Sequence, residues 1–178
     1  MFGLKPKLSP RAASAERLLA WAVLRARSPV LYADLGAPDT VEGRFEVLTL
    51  HVLLLMDRLK AGDAAALDLR QNVFDVFVSH LDGAMREMGV GDLAMGKRMR
   101  KLGEAFYGRA KAYDAAFGAL PDRTEFERLI ARTVSGGTAT VAASGLADYT
   151  LQTRERLARC DLGALMAGRA DDETETRR

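Results

Sequence analysis

The stretch DTVEGRFEVLTLHVLLLMDRLKAG, residues 39–62, reads as one long helix. It opens on Asp39 and Thr40, with Glu42 three residues after Asp39, the pattern of a capping box. Val41, Phe45, Leu48, Val52, Leu55 and Leu59 then recur at helical spacing and form a single seam. Val47, Leu50, Leu53 and Leu54 carry apolar character most of the way round. This is the helix expected at the centre of the molecule, ending at Gly62. A helix so apolar needs neighbours on several sides, which predicts helix-on-helix layers.

The flanking sequence supplies them. Toward the N-terminus, Ser9-Pro10 is a cap and first-turn proline for a helix running to Arg27, with Leu18, Leu19, Ala22 and Leu24 as its apolar side. Ser28-Pro29 breaks it, and Val30 to Leu35 reads as a short helical turn before Gly36-Ala37-Pro38. Toward the C-terminus, a helix from Asp63 to Met88 has Leu67, Phe74, Phe77, Leu81, Met85 and Met88 on its inner face. Gly89 ends it, and Val90-Gly91 leads to Asp92, expected to cap a helix to Gly118 with Phe106, Tyr113 and Phe117 in its seam. So short a connection predicts a sharp corner or an antiparallel pair. Leu120-Pro121 breaks the chain, Asp122-Arg123-Thr124-Glu125 is a second capping box for a helix ending at Gly136-Gly137, and Thr138 to Cys160 is a last long helix followed by a turn at 161–168. No strand pattern survives. The expected fold is all-α: one domain of six or seven helices in an irregular bundle, with a basic N-terminal helix over 1–29, the main domain over 30–169 and a disordered polar tail over 170–178.

Composition narrows the chemistry. A single cysteine, Cys160, leaves no internal disulfide, and with two histidines a metal site would have to recruit carboxylates or a second chain. Apolar runs such as Val52 to Met56 are far short of a membrane span, and the basic start MFGLKPKLSP has no apolar core of an export signal. A cytoplasmic, soluble protein is expected. Net charge is +2 but unevenly placed: +5 over residues 1–27, −6 over 34–92, +5 over 93–111 and −2 beyond. Such asymmetry points to distinct surfaces rather than uniform nucleic-acid binding. Gly89-Val90-Gly91 lacks the preceding strand and third glycine of a nucleotide loop and is better explained as a helix C′ corner. His51 and His80 fall on different helices. No catalytic, cofactor-binding or metal-ligating constellation is expected, and the protein is expected not to be an enzyme.

Two features remain open on residues alone. Arg44, His51 and Arg58 repeat every seven residues and drift only about 40° along the central helix, so they form one stripe. Buried cations need partners, so the stripe is either paired with the acids of the next helix (Asp68, Asp75, Asp82, Glu87) or lines a polar groove. In the basic segment, Lys97, Arg100, Lys101 and Lys111 face away from the Met99/Phe106/Tyr113 seam, while Arg98 and Arg109 share a flank near the core boundary. The outward group is a solvated face, an RNA-phosphate contact or a lipid-headgroup contact. Tyr107 lies on the other flank. Gly108, costly inside a helix, implies that another helix or a client peptide packs close. Met85, Met88, Met95 and Met99 bracket the corner, either filling core or forming an adaptable surface.

Three segments carry a family resemblance. Asp39-Thr40-Val41-Glu42-Gly43-Arg44-Phe45-Glu46 followed by Leu50-His51-Val52 resembles the opening motif of the ubiquinol–cytochrome c chaperone family. Phe74-Asp75, Leu81-Asp82 and Met85-Arg86-Glu87-Met88-Gly89-Val90-Gly91-Asp92 resemble its second motif. Lys97 to Lys101, Glu104-Ala105-Phe106-Tyr107-Gly108-Arg109 and Ala112-Tyr113 resemble its third. The likeness covers Val30 to Phe117. It implies an all-helical, non-enzymatic assembly factor for the cytochrome bc1 complex that binds newly made, unassembled cytochrome b. It further implies work near the ribosomal tunnel exit, with transient contact at the cytoplasmic face of the inner membrane, no cofactor and no DNA partner. A basic helical RNA- or ribosome-binding module is the alternative. The candidate partner-contact residues are Arg44, His51, Arg86, Lys97, Arg98, Arg100, Lys101, Tyr107 and Arg109. The candidate fold determinants of the motifs are Asp39, Gly43, Asp82, Glu87, Gly89, Gly91, Asp92, Phe106, Gly108 and Tyr113.

Overall fold

A computed structural model describes residues 10–135 and 141–170. The described chain is helical and contains no strand. It forms α1 (Pro10–Ala26), α2 (Pro29–Ala33), α3 (Val41–Lys60), α4 (Ala64–Glu87), α5 (Asp92–Gly118), α6 (Thr124–Thr133), α7 (Val141–Arg159) and α8 (Leu162–Met166). Two of these, α2 and α8, are single turns, so six long helices build the bundle. The expected cap Ser9, the glycine pair 136–137, the start of the last helix at 138 and the tail from 171 lie outside the described residues.

Packing is organised around α3. All seven residues from Leu50 to Met56 are buried, because α1 and α4 cover one side and α7 another. Thr40, not Asp39, is the N-cap: its hydroxyl accepts from the Gly43 amide at 3.0 Å, while Asp39 pairs with Arg44 at 2.6 Å. The Asp63 carboxylate caps α4 at 3.0 Å from the Ala66 amide. Gly91, not Asp92, is the N-cap of α5, and it makes no side-chain cap bond.

The α4–α5 pair is antiparallel. Phe74 and Phe106 sit equally far in sequence from Val90, and their ring centroids are 5.0 Å apart, with Phe77 also against Phe106 at 5.5 Å. Arg86 ties the corner by bonding Asp82 at 2.8 Å and Asp92 at 2.7 Å. Gly89 has φ +81°, the left-handed C′ conformation that ends α4.

Some residues expected inside lie outside. Leu24 is exposed because it falls about 200° round the wheel from Ala22, away from α3 and α4. Val41 and Met88 are 64% and 60% exposed at helix ends that outrun their neighbours, and Leu67 sits on an open flank of α4. Gly108 has nothing within 4 Å of where a Cβ would stand, so no described helix packs against it, and the first of its two expected neighbours is missing. Gly43 is the opposite case: its Cβ would lie 2.0 Å from the Pro38 carbonyl oxygen.

These environments order three substitutions. Gly43→Ala forces the Pro38 turn away and is the most destabilising. Gly89→Val meets open space and loses about 1–2 kcal/mol for the left-handed backbone alone. Gly108→Ala gains up to about 1 kcal/mol of helix propensity. Urea denaturation of the three variants checks the order.

Candidate functional site

The C-terminal end of α1, the first half of α3, the second half of α4 and the first half of α5 do not close on one another. They enclose a groove of about 520 Å³. Phe45 and Leu48 of α3 form one wall and Leu81, Met85 and Met88 of α4 the other. Val23 of α1 and Leu102 of α5 complete the apolar lining. The small residues Ala26 and Ala84 also line it, leaving the space unfilled. Periodicity marked Phe45, Leu48 and Leu81 as core; the structure leaves all three only partly buried. Nothing in a single seam distinguishes a residue facing a neighbouring helix from one facing a gap between helices. The groove is therefore the feature that sequence reading missed.

Charged side chains rim the groove. Arg44 is held by Asp39 and lies 5.2 Å over the Tyr32 ring, whose hydroxyl donates to the Ala26 carbonyl at 2.6 Å. Its guanidinium pKa is raised, chiefly by the Asp39 hydrogen bond. Glu46 also lines the groove and accepts two hydrogen bonds from Arg109, from Nε at 2.6 Å and from Nη2. That pair is largely shielded from solvent, and the Glu46 bond raises the Arg109 pKa despite the opposing cost of burial. Arg98 and Arg27 reach the rim and form no ion pair among the described residues. The shared flank expected for Arg98 and Arg109 thus faces the groove and its Glu46 edge.

The other expected contact residues divide. Lys97, Arg100 and Lys101 are exposed on the far face of α5, and Tyr107 is 62% exposed with its ring 5.4 Å from Phe74. Arg86 is committed to the corner. His51 has no exposed surface at all. Its Nδ1–H donates to the Val47 carbonyl at 2.8 Å and its Nε2 accepts from the Tyr149 hydroxyl at 2.8 Å. With Trp21 edge-on at 6.2 Å, the ring is a neutral spacer joining α1, α3 and α7. Arg58 donates to the carbonyls of Leu157 and Cys160 at 3.0 and 2.9 Å, satisfying the C-terminal end of α7. The stripe of Arg44, His51 and Arg58 is therefore neither a network with α4 acids nor one groove. Asp68 instead pairs with Arg11, and Asp82 with Arg86.

Of the residues marked as fold determinants, Phe106 and Tyr113 are core, and Asp82 and Asp92 hold the corner through Arg86. Gly91 and Glu87 are exposed. Met85 and Met95 are buried, Met99 is half-buried and Met88 is open to solvent at the groove. Among the described residues no three His, Cys, Asp or Glu side chains gather in a way that holds a metal ion. No described helix is long and apolar enough to cross a membrane.

Comparison with known proteins agrees on one family. The profile of the ubiquinol-cytochrome C chaperones matches residues 33–173. The crystal structure of the Cbp3 homolog from Brucella abortus superposes with a TM-score of 0.80 at 34% identity, covering 93% of each chain. No curated protein sequence matches.

Burial of His51 has a measurable consequence. Desolvation lowers its pKa from 6.5 to about 4, the Val47 bond opposing and the nearby Arg25 charge assisting. The unfolded chain therefore takes the proton first as pH falls. Stability contributed by the neutral ring is complete above about pH 6.5 and is lost on the way down to about 4, a change of about 3 kcal/mol. Between about pH 6.5 and 5 ordinary carboxylates do not yet titrate. Thermal melts should decline in that window, and a flat profile there would show that His51 is not the buried neutral group described.

Proposed function

The chain belongs to the ubiquinol-cytochrome C chaperone family, and from that premise we propose that it is a non-enzymatic assembly factor for the cytochrome bc1 complex whose groove holds newly made cytochrome b. The observation that carries the reading is the groove itself. Its walls are aliphatic, aromatic and methionine side chains, its mouth is open, and its cations Arg27, Arg44 and Arg98 stand at the rim rather than inside. Such a lining suits an apolar segment that has not yet found its partners, with the segment's polar flank meeting the charged rim. Met88 is well suited to this: it is unbranched, polarizable and already exposed, so it adapts to different apolar shapes. In this reading the protein works at the cytoplasmic face of the inner membrane, near the ribosomal tunnel exit where the client emerges. It uses no cofactor and does not bind DNA.

The decisive experiment is affinity capture of the tagged protein from membranes solubilised in mild detergent, with quantitative mass spectrometry. Cytochrome b should be enriched over the mature Rieske and cytochrome c1 subunits. Val41→Glu and Met88→Glu place a charge on the groove at positions already exposed, so both should melt like the parent. Each should lower the recovery of cytochrome b by about tenfold. Equal recovery with both variants would move the client off the groove. Recovery of no respiratory subunit would remove the function.

A further inference from the structure

The outer face of α5 is a second surface, distinct from the groove. At about 100° per residue, Leu93, Lys97, Arg100, Glu104, Tyr107 and Lys111 fall within about 40° of one line that runs about 27 Å along the helix. Lys101 stands at its edge. The groove takes the opposite flank of the same helix, through Arg98 and Leu102.

The chemistry of this line is unusual for a solvated face. Lys97, Arg100, Lys101 and Lys111 form no ion pair among the described residues, and Glu104 is the one acid on the line. The nearest further acids are taken elsewhere, Asp114 by Lys60 and Asp92 by Arg86. Leu93 is the most exposed large apolar side chain described, at 104%, and Tyr107 is 62% exposed. Neither Gly96 nor Gly103, which flank the line, has a neighbour within 4 Å of a Cβ position, so the helix surface is low there and a flat partner can approach its backbone. Cations alone would serve a nucleic acid. A fully exposed leucine and an exposed tyrosine on the same line serve a surface with an apolar layer beneath a charged one, with the tyrosine at headgroup depth.

We propose that this face of α5 docks the protein on a bilayer surface carrying anionic lipid. Leu93 enters the acyl boundary, Tyr107 lies at headgroup level, and Lys97, Arg100, Lys101 and Lys111 meet the phosphates. The proposal gives a residue-level surface to the membrane-side location inferred above, and its test contains no client, so either reading can fail without the other.

The test is co-sedimentation of the purified full chain with vesicles of phosphatidylcholine alone and of phosphatidylcholine mixed with phosphatidylglycerol. Binding is expected only to the mixed vesicles and should weaken as salt rises. The triple variant Lys97→Glu, Arg100→Glu, Lys101→Glu should lose at least about 100-fold in partitioning, at about fivefold per cation. Leu93→Gln should lose about tenfold with an unchanged melting temperature, since Leu93 packs against nothing that folding requires. Equal binding to both vesicle types, no binding to either, or full binding by Leu93→Gln would overturn the proposal. So would tighter binding to an RNA hairpin than to vesicles with no effect of Leu93→Gln, which would assign the face to nucleic acid.

Discussion

The burial of the middle of α3 is the constraint from which the rest of the structure follows. Over Leu50 to Met56 every side chain is buried, and the polar groups of His51, Asp57 and Arg58 reach partners in other helices. His51 takes the Tyr149 hydroxyl and so fixes α7. Arg58, two turns on, satisfies the last carbonyls of α7 and fixes where that helix stops. Asp57 takes Arg154 at 2.8 Å, whose guanidinium also lies 4.4 Å over Phe117 and thereby draws in the end of α5. Apolar burial supplies most of the stabilisation, but it is non-directional. These polar ties are what set register and neighbour.

The groove is the complement of that arrangement. Where α3 is fully surrounded, its neighbours pack tightly; toward its N-terminal end they separate. There α5 meets α3 through Arg109 and Glu46, a bidentate pair of long side chains, rather than through interleaved leucines. The aromatic cluster of Phe74, Phe77 and Phe106 holds α5 to α4 well below the corner, and the corner itself extends beyond it with Met88 and Leu93 uncovered. Losing either member of the Arg109–Glu46 pair would leave the other shielded and uncompensated, which costs more than the pair itself contributes. A rigid, separated helix pair and an unfilled apolar gap are thus products of the same few residues.

Much of this was legible in the sequence because the signals were local. The seam of α3, the C′ glycine at Gly89, the Asp63 cap and the short corner each depend on a few neighbouring residues, and these four formed, whereas at the 122–125 box the N-cap is Arg123 without a side-chain cap bond. The errors have a common physical origin. Asp39 and Thr40 are both good caps, and what decides between them is the pull of Arg44 on Asp39. Arg44, His51 and Arg58 share a stripe, but α3 meets a rim, a core and a helix terminus in turn along its length, so one stripe acquires three unrelated roles. The groove is invisible in the sequence for the same reason: Phe45 and Leu48 have the spacing of core residues, and only the positions of α1, α4 and α5 reveal that no described residue fills the space in front of them. Gly108 shows the converse case: of a neighbouring helix and a client peptide, the two readings its presence inside a helix allows, no described helix supplies the first.

The two surfaces of α5 stand in a definite spatial relation. The flank bearing Arg98 and Leu102 faces the groove, and the flank bearing Leu93 and Arg100 faces away, so they are separated by one helix diameter, about 10–12 Å. A segment lying in the groove is therefore held about that distance from whatever surface α5 rests on. If both proposed surfaces are used, this is a short path between shelter and bilayer that requires no large rearrangement of the bundle. The cost of exposing Leu93 and Met88 to water is small for a folded domain, a few kcal/mol at most. No packing among the described residues recovers that cost. Exposed apolar side chains at a charged corner are what the proposed client and bilayer contacts would cover.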